Sequence, residues 1–251
     1  MNFGLRKLAD QKIAYIISRF PVLTETFITN EVEEIRRKGV DIEVFSLRGP
    51  NLKESFQKNT AELIKTTHYY PFFFSLEIWA GLFFYLKTRP VICLKILTKI
   101  FKTHVQNPVA LLKILAVMPK TFAIAKKLKD MGITRIHAHW ATIPATVAFV
   151  VSELNGCDFT FTAHAWDIFK VDIMLEEKIL KSKKVITCTN YNKEYLLQKF
   201  PHIDGNKITV IHHGLDFDSF NPAQKKRDGE FKILSIGRLT EKKGIHYLLK
   251  A

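Results

Sequence analysis

The chain alternates short apolar runs with longer segments of helical periodicity, and this alternation limits the possible folds more than any other feature of the sequence. A strand-like run, KIAYIIS (12–18), leads to a helical segment closed by Gly39 and then to a second run, VDIEVFSL (40–47). Further apolar runs, again separated by helical segments, occupy residues 133–139, 158–163, 184–189 and 207–212. Strands that are apolar on both faces and alternate with helices form parallel sheets covered on both sides. The sequence therefore predicts an α/β fold with a doubly wound parallel sheet.

A lysine-rich helical insert at residues 71–130 interrupts this alternation. The stretch from Lys87 to Arg135 contains eleven Lys or Arg residues and a single acid, Asp130, so it supplies +10 of the chain's formal charge of +14. Lysines recur there every three to four residues among Leu, Ile and Phe, which is typical of basic amphipathic helices. Such helices either lie on an anionic membrane surface or bury their apolar face in the core, and the pattern leaves both open. No nucleic-acid-binding motif accompanies the charge, so we expect no nucleic acid partner.

Cysteine spacing and hydrophobic segments indicate the compartment. Cys93, Cys157 and Cys188 lack the spacing of metal or redox motifs, and the N-terminal residues MNFGLRKLADQK lack the apolar core of a signal peptide. The apolar run at 72–86 is interrupted by Glu77 and is too short to span a bilayer. We therefore expect a cytoplasmic protein, peripheral on the inner face of the plasma membrane.

Composition divides the chain into two unequal parts. Residues 1–220 contain the alternating pattern, and the polar stretch at 221–230 is typical of a linker. Residues 231–251 begin a second α/β unit, with a predicted strand at 231–237 and the start of a helix. One strand has no sheet to join, so we expect this second domain to be truncated and the chain to be the front part of a longer protein.

Polar residues stand where the apolar runs end. They are Ser18, His137, His139, His164, Thr189 and His212. Because the carboxyl ends of parallel strands meet at one edge of the sheet, and ligands bind beyond that edge, this pattern predicts a binding site there. Any one of these histidines, taken alone, is more simply explained as a hydrogen-bonded residue at the end of a strand.

Five stretches of the sequence resemble segments of one enzyme family. SIGRLTEKKG (235–244) resembles the opening of a donor-binding domain, and VIHHGLDFDSFNP (210–222) resembles an interdomain segment in which His212 and His213 replace the common Pro-Asn. HAHW (137–140) and FTAHAWD (161–167) resemble two histidine segments of an acceptor domain. The family is glycosyltransferase family 4, whose members are retaining, use nucleotide sugars and have two facing Rossmann-like domains, the GT-B fold.

The fifth stretch refines this resemblance. Residues 18–47 are similar to the N-terminus of a subgroup that builds exopolysaccharides of the colanic-acid type. The resemblance therefore implies a retaining, hexosyltransferase-type enzyme of cell-surface polysaccharide biosynthesis. Its donor would be a nucleotide sugar, its acceptor lipid-linked or a polysaccharide, and its partner surface an anionic membrane, with no metal or other cofactor. The family's paired glutamates lie further along the donor domain, so we expect this polypeptide alone to be inactive or nearly so.

The resemblance also implies roles for particular residues. His164 matches the family's active-site histidine, whose imidazole contacts the donor sugar and whose main-chain carbonyl often lies beside the reacting carbon. His139 is implied as a second contact on the acceptor side. Gly237, Arg238 and Lys243 match the turn whose two cations bind the donor diphosphate and stabilise the charge that grows on it.

Two tryptophans and an acid beside these histidines are further candidates. Trp166 and Asp167 follow His164 directly, and we expect both to bind substrate. Trp140 and Trp166 have the character of sugar-stacking platforms, although we expect one of the two to belong to the core.

The loop after the first strand departs from the family pattern. Many members have a glycine-rich loop there, whereas this chain has SRFPVLTET (18–26), with no glycine. We expect Thr24 or Thr26 to cap the following helix, whose N-terminus attracts anions, and Arg19 to add a positive charge. Arg19 and Thr24 are therefore predicted to bind substrate, although a capped helix end needs no ligand.

Two other functions fit parts of the pattern. His137, His139 and His164 could bind the metal of a zinc-dependent hydrolase, with Asp167 as the nearby carboxylate. Alternatively, the lysine-rich insert and the incomplete second domain would suit a non-catalytic module associated with membranes.

Overall fold

The computed structural model describes residues 12–51, 60–71, 75–214, 233–237 and 239–250, and the chain divides into two compact units, Met1–Gly214 and Leu215–Ala251. The strands of the first unit are β1 (Lys12–Ile17), β2 (Asp41–Ser46), β3 (Thr67–Tyr69), β4 (Arg135–His139), β5 (Asp158–Ala163), β6 (Lys184–Thr187) and β7 (Ile208–Val210). Its helices are α1 (Thr26–Arg37), α2 (Thr60–Lys65), α3 (Leu76–Thr88), α4 (Pro90–His104), α5 (Pro108–Asp130), α6 (Ile143–Asn155), α7 (Ala165–Phe169), α8 (Leu175–Lys181) and α9 (Asn190–Lys199). A short 3-10 helix, Gly205–Lys207, precedes β7.

The seven strands form one sheet in the order β3-β2-β1-β4-β5-β6-β7, and every neighbouring pair is parallel. β1 lies near the middle, where Ile16 pairs with Phe45 of β2 on one side and with Ala138 of β4 on the other. All three side chains are buried, as expected for strands covered on both faces. The predicted doubly wound, Rossmann-like α/β fold is therefore confirmed.

The core has two parts, one on each face of the sheet. On one face, Ile28 and Val32 of α1 pack with Ile17, Ile42 and Val44 of the sheet. On the other face, residues of α3 to α6 pack in a larger cluster against β1, β4 and β5. Fully burying one such aliphatic side chain contributes about 1.5–3 kcal/mol, so these two clusters fix the helices to the sheet.

The lysine-rich insert consists of the three helices α3, α4 and α5, as predicted. α3 and α5 pack closely at Gly81, where an added Cβ would lie 2.7 Å from the carbonyl oxygen of Phe122. The C-terminal half of α5 is core, with Ile124 and Leu128 fully buried. α5 is long and apolar enough to cross a membrane, but half of its apolar window is buried inside the fold. In this structure the C-terminal half of α5 is therefore a core helix.

The structure differs from the sequence-based expectations at two places. The N-cap of α1 is Glu25 and makes no side-chain capping hydrogen bond, so the predicted capping by Thr24 or Thr26 is wrong. The described residues of the predicted strand at 231–237, which are 233–237, have no regular secondary structure, because a strand needs a neighbour to pair with. The linker predicted at 221–230 lies outside the described residues.

Candidate functional site

The candidate site lies where the strand order of the sheet reverses. β1 is followed outward by β2 and β3, whereas its other neighbour, β4, is followed outward by β5, β6 and β7. The connections that leave the carboxyl ends of β1 and β4 therefore run in opposite directions, and the crevice between them is where open α/β sheets bind ligands. Here the loop at 18–25 and the turn at 140–142 flank that crevice.

His139, the last residue of β4, has its side chain fully buried in this crevice. Its Nε2 lies 3.4 Å from Oε1 of Glu31, which accepts a hydrogen bond of 2.8 Å from the hydroxyl of Tyr15. Burial by itself would raise the pKa of Glu31, but His139 and Tyr15 contribute to a larger opposite effect that lowers it to about 2. Glu31 is therefore a carboxylate that orients the buried imidazole, whose Nδ1 has no protein partner among the described residues.

His137, two residues earlier on β4, has a packing role. Its Nδ1 lies 2.8 Å from Oγ1 of Thr160 and its Nε2 lies 3.0 Å from Oγ1 of Thr162, both on β5. Burial, together with the neighbouring His139, lowers the pKa of His137 to about 3. Its two ring nitrogens are therefore both engaged in holding β4 to β5.

His164 follows β5 and is the N-cap of α7. Its side chain is 7% exposed and packs among the rings of Phe27, Trp140 and His213, at centroid distances of 5.3, 4.3 and 5.6 Å. Burial lowers the pKa of His164 to about 3, and the nearby His139 and His213 act in the same direction. The imidazole is consequently neutral at pH 7. His139, His164 and His213 stack in sequence and are called the histidine cluster below.

A capping box determines which nitrogen of His164 carries the proton. The side chain of His164 accepts a hydrogen bond from the backbone N–H of Asp167, and the Asp167 carboxylate accepts one of 2.9 Å from the backbone N–H of His164. Nε2 of His164 has no protein partner among the described residues. Because a neutral imidazole has one donor and one acceptor nitrogen, Nε2 is the N–H donor. The main-chain carbonyl of His164 accepts a hydrogen bond of 3.1 Å from Ile168, so it is the imidazole that offers a hydrogen bond to the site.

A buried polar network supports this arrangement from behind. Asp167 is fully buried and accepts a short hydrogen bond from the backbone N–H of Ala141, in the turn after β4. Lys178 of α8, also buried, donates a short hydrogen bond to the carbonyl of Ala141 and lies 3.4 Å from Oγ1 of Thr146. Burial raises the pKa of Asp167 and lowers that of Lys178, as expected when charged forms lose their solvent. The network ties the turns after β4 and β5 together. The Asp167 carboxylate does so by accepting hydrogen bonds from the backbone N–H groups of Ala141 and His164.

The turn after β4 holds an unusual backbone conformation. Trp140 has φ of 81°, in the left-handed region that non-glycine residues rarely adopt. Its backbone N–H donates to the carbonyl of Thr162 at 3.0 Å. Burial raises the pKa of Glu25, against the effect of Trp140 and His139. Such conformations cost of order 1–3 kcal/mol and cluster at functional sites.

The remaining predicted residues of the first unit lie on the loops around the crevice. Arg19 is half-buried in the loop after β1, and Thr24 is exposed just before α1. Trp166 is 63% exposed at the start of α7, whereas Trp140 is half-buried against His164, so neither tryptophan belongs to the core. Substrate binding by Arg19, Thr24 and Trp166 stays a prediction.

The predicted donor-side residues belong to the second unit. Gly237 is exposed, and Lys243 ends the 3-10 helix Glu241–Lys243, which precedes the short helix α10 (Ile245–Leu248). Arg238 lies outside the described residues.

Several residues of the site were missed by sequence reasoning. Three of them belong to α1 and its N-cap, namely Glu25, Phe27 and Glu31. The helical periodicity of that segment predicts a helix but does not predict that these side chains reach the site. His213 was visible only as a replacement in the interdomain segment, and Cys188 only as an isolated thiol after β6.

Two groups of potential metal ligands occur at this edge of the sheet. In one, ligand atoms of His164, Cys188 and His213 lie within 4.8 Å of one another, and in the other those of Glu31, His137 and His139 do. In the second group, both nitrogens of His137 are already engaged with threonines. In the first, Nε2 of His164 carries a proton in place of the lone pair that a metal needs. Both groups are therefore better suited to hydrogen bonding than to coordination as they stand.

Comparisons with known proteins place part of the chain in a family. Residues 97–219 match the family described as Glycosyltransferase Family 4. A search of curated proteins finds no significant match. Among solved structures, the chain is similar to a UDP-N-acetylglucosamine 2-epimerase, at 12% identity and a TM-score of 0.45, over 80% of this chain and 47% of that one. It is also similar to MnaA of S. aureus in a UDP co-structure, at 8% identity and a TM-score of 0.42, over 80% and 43% of the two chains.

The chain thus spans less than half the length of these two structures. The family match, by contrast, begins within α4 and extends beyond β7, so it contains the whole turn after β4, the histidine cluster and the buried network behind them. The part of the chain that matches Glycosyltransferase Family 4, residues 97–219, is therefore the part that contains the candidate site.

Proposed function

We propose that this protein is part of a glycosyltransferase that moves a sugar from a nucleotide-sugar donor to a lipid-linked or polysaccharide acceptor, with retention of configuration. The observation that carries the proposal is the position of His139 and His164 at the carboxyl ends of adjacent strands, beside the switch point and inside the matched domain. A buried pair of imidazoles at that edge, one of them the neutral ring of His164, is suited to a hydroxyl-rich ligand such as a sugar.

His164 would act as a hydrogen-bond donor to the transferred sugar. Its pKa of about 3 keeps the ring uncharged, and its Nε2 hydrogen has no acceptor among the described protein residues. A sugar hydroxyl oxygen satisfies this donor without bringing a charge into the buried cluster. The exposed ring of Trp166 would provide a stacking face nearby, and the N-terminus of α1, left without a side-chain cap, would attract an anionic group.

The second unit would supply positive charge to the leaving group. Departure of the nucleotide leaves negative charge on a diphosphate, and cations placed there lower the barrier. By resemblance, Arg238 and Lys243 would provide these cations after the turn at Gly237. This part of the proposal rests on the motif alone.

The finer features of the function follow from the same resemblance. We propose that the enzyme works in the cytoplasm, on the inner face of an anionic membrane, in a cell-surface polysaccharide pathway of the colanic-acid type. Catalysis would need no metal or other cofactor, because the Arg–Lys pair would balance the diphosphate charge. This makes the zinc hydrolase the weaker alternative, and the engagement of both nitrogens of His137 weighs against it further.

The proposal is tested by sugar-nucleotide turnover in the intact protein, with release of the nucleotide as the readout. We expect His164→Ala and Lys243→Ala each to lower kcat about 100-fold or more, as when one donor to a developing charge is removed. His164→Gln, which keeps an amide N–H near the position of Nε2, should retain more activity than His164→Ala. His202→Ala, which removes an exposed histidine paired with Glu176, is the control and should leave the rate unchanged.

Unchanged rates in both alanine variants would contradict the proposal. Stoichiometric zinc in the purified protein, with activity lost on chelation, would favour the hydrolase. The third candidate, a non-catalytic membrane module, predicts vesicle binding without nucleotide turnover under any of these conditions.

A further inference from the structure

The helices of the insert expose apolar side chains on one side while they bury others on the opposite side. On α4, Leu94, Leu97 and Phe101 are exposed and recur at helical spacing, and so is Val105 at its C-cap, whereas Ile96 and Ile100 are buried. The large apolar residues near the start of α5 show the same division. Val109, Leu112 and Leu115 are exposed there, whereas Ile114, Val117 and Met118 are buried. Residues 97–115, the end of α4 and the start of α5, are called the helical tip below.

The helical tip extends beyond the sheet on the same edge as the histidine cluster. The ammonium group of Lys120 donates a hydrogen bond of 2.8 Å to the carbonyl of Leu47, which follows the carboxyl end of β2. α5 ends at Asp130, four residues before β4 begins at Arg135, so the helix runs from the carboxyl edge of the sheet to the amino edge. The twelve residues that precede Lys120 in α5 span about 18 Å at 1.5 Å per residue. Because the end of the Lys120 side chain, and not its backbone, lies at the carboxyl edge, the first turns of α5 project past that edge while Val117 and Met118 remain in the core.

The charge of the helical tip is of one sign. No Asp or Glu occurs between Glu77 and Asp130. Lys102 lies beside the apolar row of α4 and Lys113 lies beside Leu112 on α5, and both side chains are exposed. The ammonium group of Lys99 instead lies 5.5 Å from the ring of Phe149, so it faces the fold. Long lysine side chains next to an apolar row extend their ammonium groups toward a polar interface while their stems cover apolar surface.

We propose that the helical tip inserts its apolar rows into one leaflet of an anionic lipid bilayer, with the flanking lysines at the level of the headgroups. Helices of this composition lie in the interface plane, with the apolar face about 5–10 Å deep. The candidate site opens on the same edge of the sheet, so a membrane-bound acceptor would meet it from the side of the tip. The inference deepens the proposed function only in this last point, since membrane binding itself does not depend on glycosyl transfer.

Charge complementarity favours lipid over a second copy of the chain. Two copies that met through their tips would bring lysines against lysines, with no acid on either tip to pair with them. Anionic headgroups supply the opposite charge and conform to a convex helical end without requiring a matching shape. Phe101, at 56% exposure, and Leu112, at 69%, are the largest apolar contributions to that contact.

The test is co-sedimentation of the intact protein with vesicles of phosphatidylcholine alone or with 30% phosphatidylglycerol, in the absence of any sugar nucleotide. We expect binding to the anionic vesicles that weakens as salt is raised. Lys102→Gln with Lys113→Gln should weaken it about fivefold per lysine. Phe101→Ser with Leu112→Ser should weaken it at least tenfold. The matched control, Leu180→Ser with Lys183→Gln, changes an exposed leucine and an exposed lysine elsewhere and should bind as the parent protein does.

The two lysine substitutions change exposed side chains only. If Phe101→Ser with Leu112→Ser impairs folding, the lysine variant therefore still tests vesicle binding. Absence of binding to both kinds of vesicle would overturn the inference, as would an equal loss in the control. Self-association abolished by Phe101→Ser with Leu112→Ser, without vesicle binding, would assign the tip to a second copy and would overturn it too. None of these outcomes bears on nucleotide turnover with a soluble acceptor, so failure of this inference is distinguishable from failure of the proposed function.

Discussion

The histidine cluster and the helical tip depart from the usual distribution of residues in opposite ways. At the cluster, two of the three imidazoles are buried: His139 is fully inaccessible and His164 is 7% exposed, whereas His213 is exposed. At the tip, large apolar side chains such as Leu112 lie mostly in solvent. Buried polar groups and exposed apolar patches both indicate functional sites, because folding by itself favours buried apolar and exposed polar side chains.

The two regions also differ in what holds them in place. The cluster depends on many specific partners, including Glu31 for His139 and the capping box of Asp167 for His164. The tip depends on two helices: α4 is held by Ile96 and Ile100, and α5 is anchored in the core by its other half. We infer that substitutions around the cluster destabilise the fold, whereas substitutions at the tip affect binding alone. Four predictions test this contrast, from the largest expected effect to the smallest.

The largest effect is expected for Lys178→Met in the buried network. The substitution leaves the carbonyl of Ala141 without its donor and removes the cation that helps to lower the pKa of the buried Asp167. Leaving a buried acceptor without its donor costs about 1–3 kcal/mol, and loss of the nearby cation adds to this cost. Urea unfolding should therefore show a loss of that order.

Lys181→Met is the matched control for this prediction. Lys181 lies on the same helix and forms an exposed ion pair of 2.9 Å with Glu153. Surface pairs contribute about 0–1 kcal/mol, so its removal should change little. Equal losses in the two variants would show that the network behind the cluster is no more constrained than the surface.

The second prediction concerns Gly81, where α3 packs against α5. An alanine Cβ there would lie 2.7–2.8 Å from backbone atoms of Phe122 and Ala123, which cannot move as a side-chain tip can. Overpacking of this kind costs about 1–3 kcal/mol. Gly49→Ala, where an added Cβ meets nothing within 4 Å, is the control. If Gly81→Ala is as stable as Gly49→Ala in thermal unfolding, α3 is not fixed to α5 as described, and the anchoring of the tip must be revised.

The third prediction uses pH to measure the cost of a buried histidine. The pKa of His137 is about 3 in the folded protein against about 6.5 in an unfolded chain. As pH falls below 6.5, the unfolded chain binds the proton and the folded protein does not, so stability is lost. At pH 5.5 this amounts to about 1.4 kcal/mol for one histidine. His137→Gln should therefore lose about that much less than the parent protein between pH 7.5 and 5.5.

A neighbouring acid makes the comparison of variants necessary. The raised pKa of Asp167, about 6, acts in the opposite sense, because the folded protein then binds a proton that the unfolded chain lacks. Subtracting the His137→Gln profile from the parent profile removes this contribution, which is common to both. An unaltered slope in His137→Gln would show that His137 is accessible to protons in the folded state.

The sequence predicted the fold and the location of the site better than the contents of the site. The parallel sheet and the strand-end positions of His139 and His164 follow from apolar runs and from the rule that ligands bind at the carboxyl edge. Glu31 could not be predicted, because it reaches His139 from more than a hundred residues away, through the packing of α1 on the sheet. The strand β3 has three residues, which are too few to show the alternation of apolar and polar side chains. The sequence also cannot tell whether Asp167 contacts a ligand or a backbone amide.

The smallest effect on stability is expected at the helical tip. Phe101→Ser with Leu112→Ser should change the free energy of unfolding by less than about 0.5 kcal/mol per site, because both side chains lie mostly in water in the folded protein and lose little burial. Chemical denaturation of the purified variant measures this directly. The buried counterpart, Ile114→Ser on the other side of α5, should cost at least 2 kcal/mol by the same measurement, since it removes a core side chain and buries a hydroxyl. If the exposed pair proves as costly as Ile114, its side chains are covered in solution and the contrast between the tip and the cluster disappears. If the double substitution leaves the free energy of unfolding unchanged, any loss of vesicle binding in the same variant comes from the lost apolar side chains and not from unfolding.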